Sequence, residues 1–255
     1  MIKLFQKIRQ RLLIENKFSK YLLYAIGEII LVVIGILIAL QINNWNEIRK
    51  IRNTEQQYLL SLKEEFNFNK GELKSIINRN KLNFDYALKT LNNTGPENPE
   101  ITEEEFGSLL TNSLSTEIQF DPNQGVLDEI INSGKLGIFG SKELKFALSS
   151  WSGILYRVRL QEQELLNMRS RTIELVRNNA NLRKVLGDRL LAIGIKKTKF
   201  EQGNLHLLKS VAFDGHITGF TTMSYSLNNN HYPKLLEEID TILLLIDGEI
   251  KENKD

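Results

Sequence analysis

The sequence contains no cysteine, which excludes disulfide bonds, thiolate nucleophiles and cysteine-based zinc sites. Proline is scarce, with four residues in 255. A chain poor in helix breakers and rich in Leu, Ile, Glu, Lys and Asn is typical of helical proteins. No segment alternates apolar and polar residues as a half-buried strand would. The composition therefore predicts an all-α protein.

The common signatures of catalysis are also missing. The sequence has no HExxH motif, Walker loop, GxGxxG or GxSxG. Its three histidines, His206, His216 and His231, share no metal-ligand spacing on any one helix. His216 lies close to Asp214, but a turn position is the favoured interpretation. We therefore predict no enzyme activity, no cofactor and no metal.

Positive charge is concentrated at the start of the chain. The net charge is +2, but residues 1–20 carry +5 and the residues from Asn43 onward carry −2. A nearly neutral body argues against a nucleic-acid partner, because phosphate binding requires a concentrated positive surface.

Residues 21–42 form a long apolar run, YLLYAIGEIILVVIGILIALQI, in which Glu28 is the only charge. A helix over residues 22–42 rises about 30 Å, the hydrocarbon thickness of a bilayer. A cleaved signal would have a shorter apolar core and a small-residue cleavage site, and a soluble core helix would be shorter or amphipathic. We expect a single uncleaved transmembrane helix at 21–43, between a basic cytoplasmic segment at 1–20 and an extramembrane helical bundle at 44–255.

The flanking charges predict the orientation of this span. Six Lys and Arg residues precede it, and three follow within residues 43–62. By the positive-inside rule the N-terminus is cytoplasmic, so the bundle of an inner-membrane protein would be periplasmic. Trp45 suits the aromatic belt at the outer end of the span, and Tyr21 and Tyr24 suit the inner end.

The first residues have a basic amphipathic pattern. Four cations in IKLFQKIRQRLL, at residues 2–13, are candidates for contact with anionic headgroups: Lys3, Lys7, Arg9 and Arg11. The same charges could serve only to set the topology, and both interpretations stay open.

Glu28 lies about one and a half turns inside the apolar run. A charge at the centre of a bilayer costs roughly 2.5–3.5 kcal/mol on insertion scales, so Glu28 would be protonated, hydrogen-bonded to another helix, or part of a proton or ion path. Small or polar residues share its helix face at spacings of three and four: Val32, Gly35, Ala39 and Asn43. Such faces allow membrane helices to approach closely. We therefore predict that Glu28, Val32, Gly35 and Ala39 form an interface with a second copy or another membrane protein.

The stretch NKFSKYLLYAIGEIILVVIGILIALQINNWNE, at residues 16–47, resembles the N-terminal part of an uncharacterised family of single-pass membrane proteins from Bacteroidota-type bacteria. A second stretch also resembles that family: FDPNQGVLDEIINSGKLGIF, at residues 120–139, with SKELKFALSSW after it. The resemblance implies a location and an architecture. It implies no catalytic residues.

Two long helices are predicted in the body. The first covers residues 47–92 and places one set of apolar residues on one face: Ile48, Ile51, Tyr58, Leu62, Phe66, Leu73, Ile77, Phe84, Leu88 and Leu91. The second begins after Ser141 and repeats every 3.5 residues, which indicates a left-handed coiled coil or a bundle seam. Its repeat comprises Leu144, Leu148, Trp151, Leu155, Val158, Glu162, Leu165, Met168, Thr172, Leu175, Asn179, Leu182 and Leu186. Trp151 and Phe146 are predicted to pack in the core, and the polar members of the repeat either set the register or face a bundle end.

Shorter helices are predicted between and after these two. Thr102 and Glu105 form a capping box for a helix to about Ser115. Pro122 or Asn123 begins another helix, which ends at Asn132 before a left-handed Gly134. Two short helices are separated at Asp214–Gly215, and residues 228–230 form a solvated loop and helix start. Pro233 begins the last helix, which buries Leu235, Leu236, Ile239, Ile242, Leu243 and Ile246.

The prediction for function is a structural or interaction protein of the bacterial envelope. It would be anchored in a bilayer and would assemble with itself or with another membrane protein. The alternative is a ligand-binding, sensor-like module that acts through a membrane partner.

Overall fold

The computed structural model describes residues 18–250, and no strand occurs within that range. The all-α prediction is confirmed. Eight α-helices appear among these residues: α1 Phe18–Leu91, α2 Glu103–Leu114, α3 Gly125–Asn132, α4 Lys142–Asn179, α5 Leu182–Leu186, α6 Asp188–Ala192, α7 Val211–Ser226 and α8 Tyr232–Glu249. Two 3₁₀ turns, Lys135–Ile138 and Leu205–Lys209, and a π-helical turn, Leu227–His231, join some of them.

The described residues fall into two units, with the boundary between Gln57 and Tyr58. The first is the part of α1 up to Gln57. The second begins at Tyr58 and contains the rest of α1 together with all the other helices.

The second unit is a bundle of four segments that run up, down, up and down. The α7–α8 segment is antiparallel to α1, because Asn80 contacts Ser224 whereas Lys63 pairs with Asp247. It is also antiparallel to α4, because Thr172 contacts His216 and Glu162 contacts Tyr232. The connection through α2 and α3 descends between the two long helices. Asn83 contacts Thr116 near its start, and Glu65 contacts Val126 near its end.

The buried face of α1 differs from the predicted one. Ten positions alternate at spacings of three and four and are buried: Leu59, Leu62, Phe66, Asn69, Leu73, Ile76, Asn80, Asn83, Ala87 and Thr90. Leu88 is exposed instead, as are Ile48 and Ile51. The prediction followed apolar residues alone, but the buried asparagines belong to the same face because their amide groups donate hydrogen bonds to other segments of the fold.

The second long helix is confirmed at its start, where the Ser141 hydroxyl accepts the Leu144 N–H. Trp151 is fully buried and meets Phe66 edge to face, with 5.2 Å between ring centroids. Phe146 is a wrong core assignment, since it is 74% exposed on the face opposite Leu144 and Leu148.

The second long helix also ends earlier than its repeat predicted. Leu182 and Leu186 belong to the separate helix α5. The chain leaves α4 at Ala180, which is extended, and the next N–H, of Asn181, is donated to the side chain of Asn204. That partner lies far along the sequence, so the helical repeat alone could not indicate the break.

The capping box of Thr102 and Glu105 and the left-handed Gly134 are confirmed. The start of α3 is not: it begins at Gly125, with neither Pro122 nor Asn123 inside it. Asn123 is held outside the helix because both its N–H and its carbonyl are hydrogen-bonded to the side chain of Asn69 on α1, each at 2.7 Å.

The last part of the chain is more continuous than predicted. Helix α7 passes through Asp214–Gly215 without a break, and the boundary lies at Ser210, whose hydroxyl accepts the Phe213 N–H. The predicted loop at residues 228–230 is wrong, because they lie in the π-helical turn that joins α7 to α8. Asn229 and Asn230 are nevertheless exposed to solvent, as predicted. The early Pro233 and the buried face of α8 are confirmed.

Candidate functional site

The first unit presents an apolar helix surface with no core around it. From Leu22 to Ile42 nearly every large apolar side chain on α1 is exposed. Within residues 18–250 the Leu22–Leu91 part of α1 is the one candidate for crossing a membrane, judged by length and composition. None of its most apolar window is buried.

The predicted interface residues lie on this surface. Glu28, Val32, Gly35 and Ala39 are exposed on one uninterrupted stretch of α1. A Cβ atom built on Gly35 would meet nothing within 4 Å, so the face is open at that position.

The other predicted membrane contacts are only partly described. Trp45 is exposed on α1 one turn beyond Ile42, where a membrane-interface residue would lie. The four basic residues Lys3, Lys7, Arg9 and Arg11 lie outside the described residues.

The second unit contains a buried carboxylate, Glu162 on α4, that joins three segments of the bundle. Its Oε1 accepts the Phe120 N–H at 2.9 Å and the Tyr232 hydroxyl at 2.9 Å. The residue is 3% exposed, and its side chain lies between the descending connection and α8. Its Oε2 accepts no hydrogen bond, although the Arg159 guanidinium lies 3.5 Å away.

Burial controls the electrostatics around Glu162. Desolvation raises the pKa of its carboxyl, while the hydrogen bonds from Tyr232 and Phe120 and the charge of Arg159 act in the opposite direction. Desolvation and the adjacent Glu162 also raise the pKa of Tyr232, so its hydroxyl remains a proton donor. Asp121, by contrast, is exposed, and hydrogen bonds from Gln119 and Arg159 lower its pKa.

A cavity of about 280 Å³ adjoins this carboxylate. Its walls include Gln119, Asp121, Arg159, Glu162 and Gln163. The cavity therefore combines an unsatisfied buried carboxylate oxygen with a guanidinium that is bound to Asp121 at 2.6 Å. The polar and charged side chains of these walls would suit a small polar or cationic group. It contains no arranged nucleophile and base.

Other polar side chains in the core hold the descending connection in place. Glu65 accepts the N–H groups of Val126 and Leu127 and so caps α3, whose own N-cap residue Gln124 makes no side-chain cap bond. The Asn83 amide donates to the Thr116 carbonyl at 3.1 Å. Glu65 and Asn83 were not predicted from the sequence, although their spacing of three and four residues from other buried positions on α1 could have indicated them.

His206 and His216 form hydrogen bonds with other parts of the fold. The His206 ring nitrogens lie within hydrogen-bond distance of the Gly203 and Asn179 carbonyls, and His216 contacts Thr172 through its backbone carbonyl. Across residues 18–250, no group of three or more His, Cys, Asp or Glu side chains is arranged to hold a metal ion.

Comparison with known proteins places this architecture in a family. The model of a family of unknown function, DUF6090, matches residues 28–181, more than half of the chain. The chain belongs to this family. No curated protein and no solved structure matches the chain. The DUF6090 match begins at Glu28 and includes Glu162, and it ends before α7 and α8.

Proposed function

We propose that this DUF6090 protein is a membrane-anchored helical bundle that acts as a structural or interaction component of the bacterial envelope. The observation that carries the proposal is the apolar surface at residues 22–42, which is exposed throughout and has the length of a bilayer span. In water such a surface would be a severe aggregation liability. In hydrocarbon it would need no protein partner to cover it.

The proposed location is the inner membrane, with a cytoplasmic N-terminus and a periplasmic bundle. The excess of Lys and Arg before the span supports this orientation. The exposed Trp45 beyond the apolar run supports the position of the outer interface.

The proposed assembly surface is the face that carries Glu28, Val32, Gly35 and Ala39. A carboxyl group in hydrocarbon is satisfied best by a polar group on another helix. Gly35 and Ala39 would let the second helix come close to the backbone. The partner in this proposal is a second copy of the chain or another membrane protein.

The test compares one substitution at two glycines. Gly35→Leu would block the face, whereas Gly27→Leu adds the same side chain about 100° around the helix from Glu28. Both sites are open to a Cβ atom, so neither change strains the single helix. Complex size in mild detergent should fall for Gly35→Leu and for Glu28→Leu and stay unchanged for Gly27→Leu. Unchanged size in all three variants would refute the proposed interface.

A ligand-binding module is the second candidate, and the cavity beside Glu162 is the observation that favours it. The full chain would be screened by thermal shift with small cationic and polar compounds. Stabilisation that disappears in Glu162→Gln would support ligand binding, since bound ligand raises the melting temperature. A shift equally large in Glu162→Gln would place binding elsewhere.

A further inference from the structure

The bundle carries a strongly basic segment at the end opposite Tyr58, where α4 ends and α7 begins. Residues 177–199 contain seven cations and a single acid, Asp188: Arg177, Arg183, Lys184, Arg189, Lys196, Lys197 and Lys199. Their net charge is +6, whereas all other residues from Asn43 onward sum to −8. The nearly neutral body thus conceals a concentrated positive surface.

Among the side chains that the structure describes, the cations nearest the tip of this segment form no ion pair. In the part of the chain that the structure describes, no carboxylate forms an ion pair with Lys196, Lys197 or Lys199. All three are exposed. An open groove of about 900 Å³ lies beside them and is lined mainly by polar and basic residues.

Apolar side chains are interleaved with these lysines. Ile193 is 71% exposed and Phe200 is 80% exposed, and Leu191 and Ile195 are also exposed. The sequence of the tip, IGIKKTKF at residues 193–200, therefore presents hydrophobic and cationic groups together.

The backbone of the segment holds this tip in place at both ends. Gly194 has a left-handed conformation with φ +84°, and the following N–H, of Ile195, is donated to the Leu190 carbonyl at 2.9 Å. On the other side the Asn181 amide reaches the carbonyls of Phe200 and Gln202. The exposed side chains therefore lie on a hydrogen-bonded turn and on a loop segment that is fixed by hydrogen bonds.

We propose that residues 189–200 dock on an anionic lipid surface. Lysines next to such a surface are attracted to its headgroups, and exposed Ile and Phe side chains enter the boundary between headgroups and acyl chains. A nucleic acid or another hydrophilic polyanion would satisfy the lysines but would offer no hydrocarbon to Ile193 and Phe200. The inference concerns the second unit alone and does not rest on the proposed membrane span.

The experiment uses the full chain in nanodiscs of neutral phosphatidylcholine. Vesicles of phosphatidylcholine, with or without phosphatidylglycerol, are added and floated on a density gradient. The protein should float with the anionic vesicles and not with the neutral ones. Each lysine near the surface is worth about fivefold in partitioning, so replacing Lys196, Lys197 and Lys199 together by Gln should weaken binding by roughly 100-fold at low salt.

Matched variants separate lipid docking from other causes. Lys74, Lys81 and Lys142 changed together to Gln remove the same charge from other exposed sites and should leave binding within a fewfold of the original protein. Ile193→Ser with Phe200→Ser should also weaken flotation, while Phe146→Ser with Leu244→Ser, equally exposed elsewhere, should not. Unchanged melting curves would show that every variant is folded.

Two outcomes would overturn the proposal. One is flotation with anionic vesicles that survives loss of the three tip lysines. The other is binding that depends on those lysines but not on Ile193 and Phe200 and that soluble polyanions abolish, because this pattern identifies an acidic polymer as the partner. Failure of the membrane span would appear as loss of protein from the nanodisc, which size-exclusion chromatography detects separately.

Discussion

Replacement of Glu162 tests how the bundle tolerates a carboxylate in its core. In Glu162→Gln the amide oxygen can still accept the Phe120 N–H and the Tyr232 hydroxyl, and the new NH₂ group takes the place of Oε2, which accepts no hydrogen bond. In Glu162→Leu both buried donors lose their acceptor. An unsatisfied buried polar group costs about 1–3 kcal/mol, so Leu should be less stable than Gln by about 2–6 kcal/mol.

The difference in stability between the original protein and Glu162→Gln should change with pH in one direction. The pKa of Glu162 in the folded protein is raised above its ordinary value of 4.5, chiefly by burial. The folded state then holds its proton more tightly than the unfolded state, so the group stabilises the fold at low pH and loses this contribution as the pH rises through the folded pKa. Relative to Glu162→Gln, the original protein should therefore become less stable as the pH increases above about 4.5.

Urea unfolding of the full chain in detergent measures both effects. The fluorescence of the buried Trp151 reports the bundle in a Trp45→Phe background, since the chain has two tryptophans. Glu65 also has a pKa raised by burial, but it is present in every variant and cancels in the difference. The reasoning is refuted if Gln destabilises as much as Leu, or if the difference between Glu and Gln does not change with pH.

Two further substitutions test packing and capping, with a matched control for each. Gly107→Ala should destabilise the bundle by about 1–3 kcal/mol through overpacking, because its Cβ would lie 2.9 Å from the Val185 carbonyl oxygen. Gly153→Ala, whose new methyl group meets open space within α4, should instead stabilise the bundle by about 0.5–1 kcal/mol. Equal effects of the two substitutions in urea unfolding would contradict the close approach of Gly107 to Val185. Ser141→Ala should cost about 1 kcal/mol of stability, because it removes the acceptor for the Leu144 N–H. The control Ser149→Ala removes an exposed hydroxyl within the same helix and should be nearly neutral by thermal melting. A Ser141→Ala variant as stable as the original protein would show that the cap contributes nothing.

Local signals in the sequence were sufficient for much of the fold. The capping residues Thr102 and Ser141 and the left-handed Gly134 act within one helical turn of themselves, so their chemistry can be read without knowledge of the tertiary structure. The helix predicted over residues 47–92 followed from the lack of proline in that range, and the structure shows that this range belongs to α1 as far as Leu91.

The features that the sequence did not predict depend on distant partners. Helix α4 ends early because Asn204 captures the Asn181 N–H, and α3 starts late because Asn69 holds Asn123. The buried face of α1 was misplaced for the same reason: an asparagine belongs in a core only when a partner from elsewhere in the fold satisfies it.

The candidate sites were predictable to different degrees. The apolar span was evident from composition, and the structure adds that none of its most apolar window is buried. Glu162 was recognisable only as a polar member of a repeat, since Phe120 and Tyr232, its partners, lie 42 and 70 residues away. The basic tip near Phe200 is hidden in the overall charge of the body, because acidic residues elsewhere offset its cations.

The central claim is that residues 22–42 lie in a bilayer, and the absence of cysteine allows a direct measurement of it. Single-cysteine variants Val33→Cys and Ser61→Cys, both at exposed positions, would be treated with a membrane-impermeant maleimide on spheroplasts and again after detergent solubilisation and denaturation. If residues 22–42 lie in a bilayer and the bundle is periplasmic, the Ser61 variant should be labelled on intact spheroplasts and the Val33 variant only after denaturation. Rapid labelling of the Val33 variant in intact membranes would contradict the span, and labelling of the Ser61 variant only after lysis would contradict the periplasmic location of the bundle.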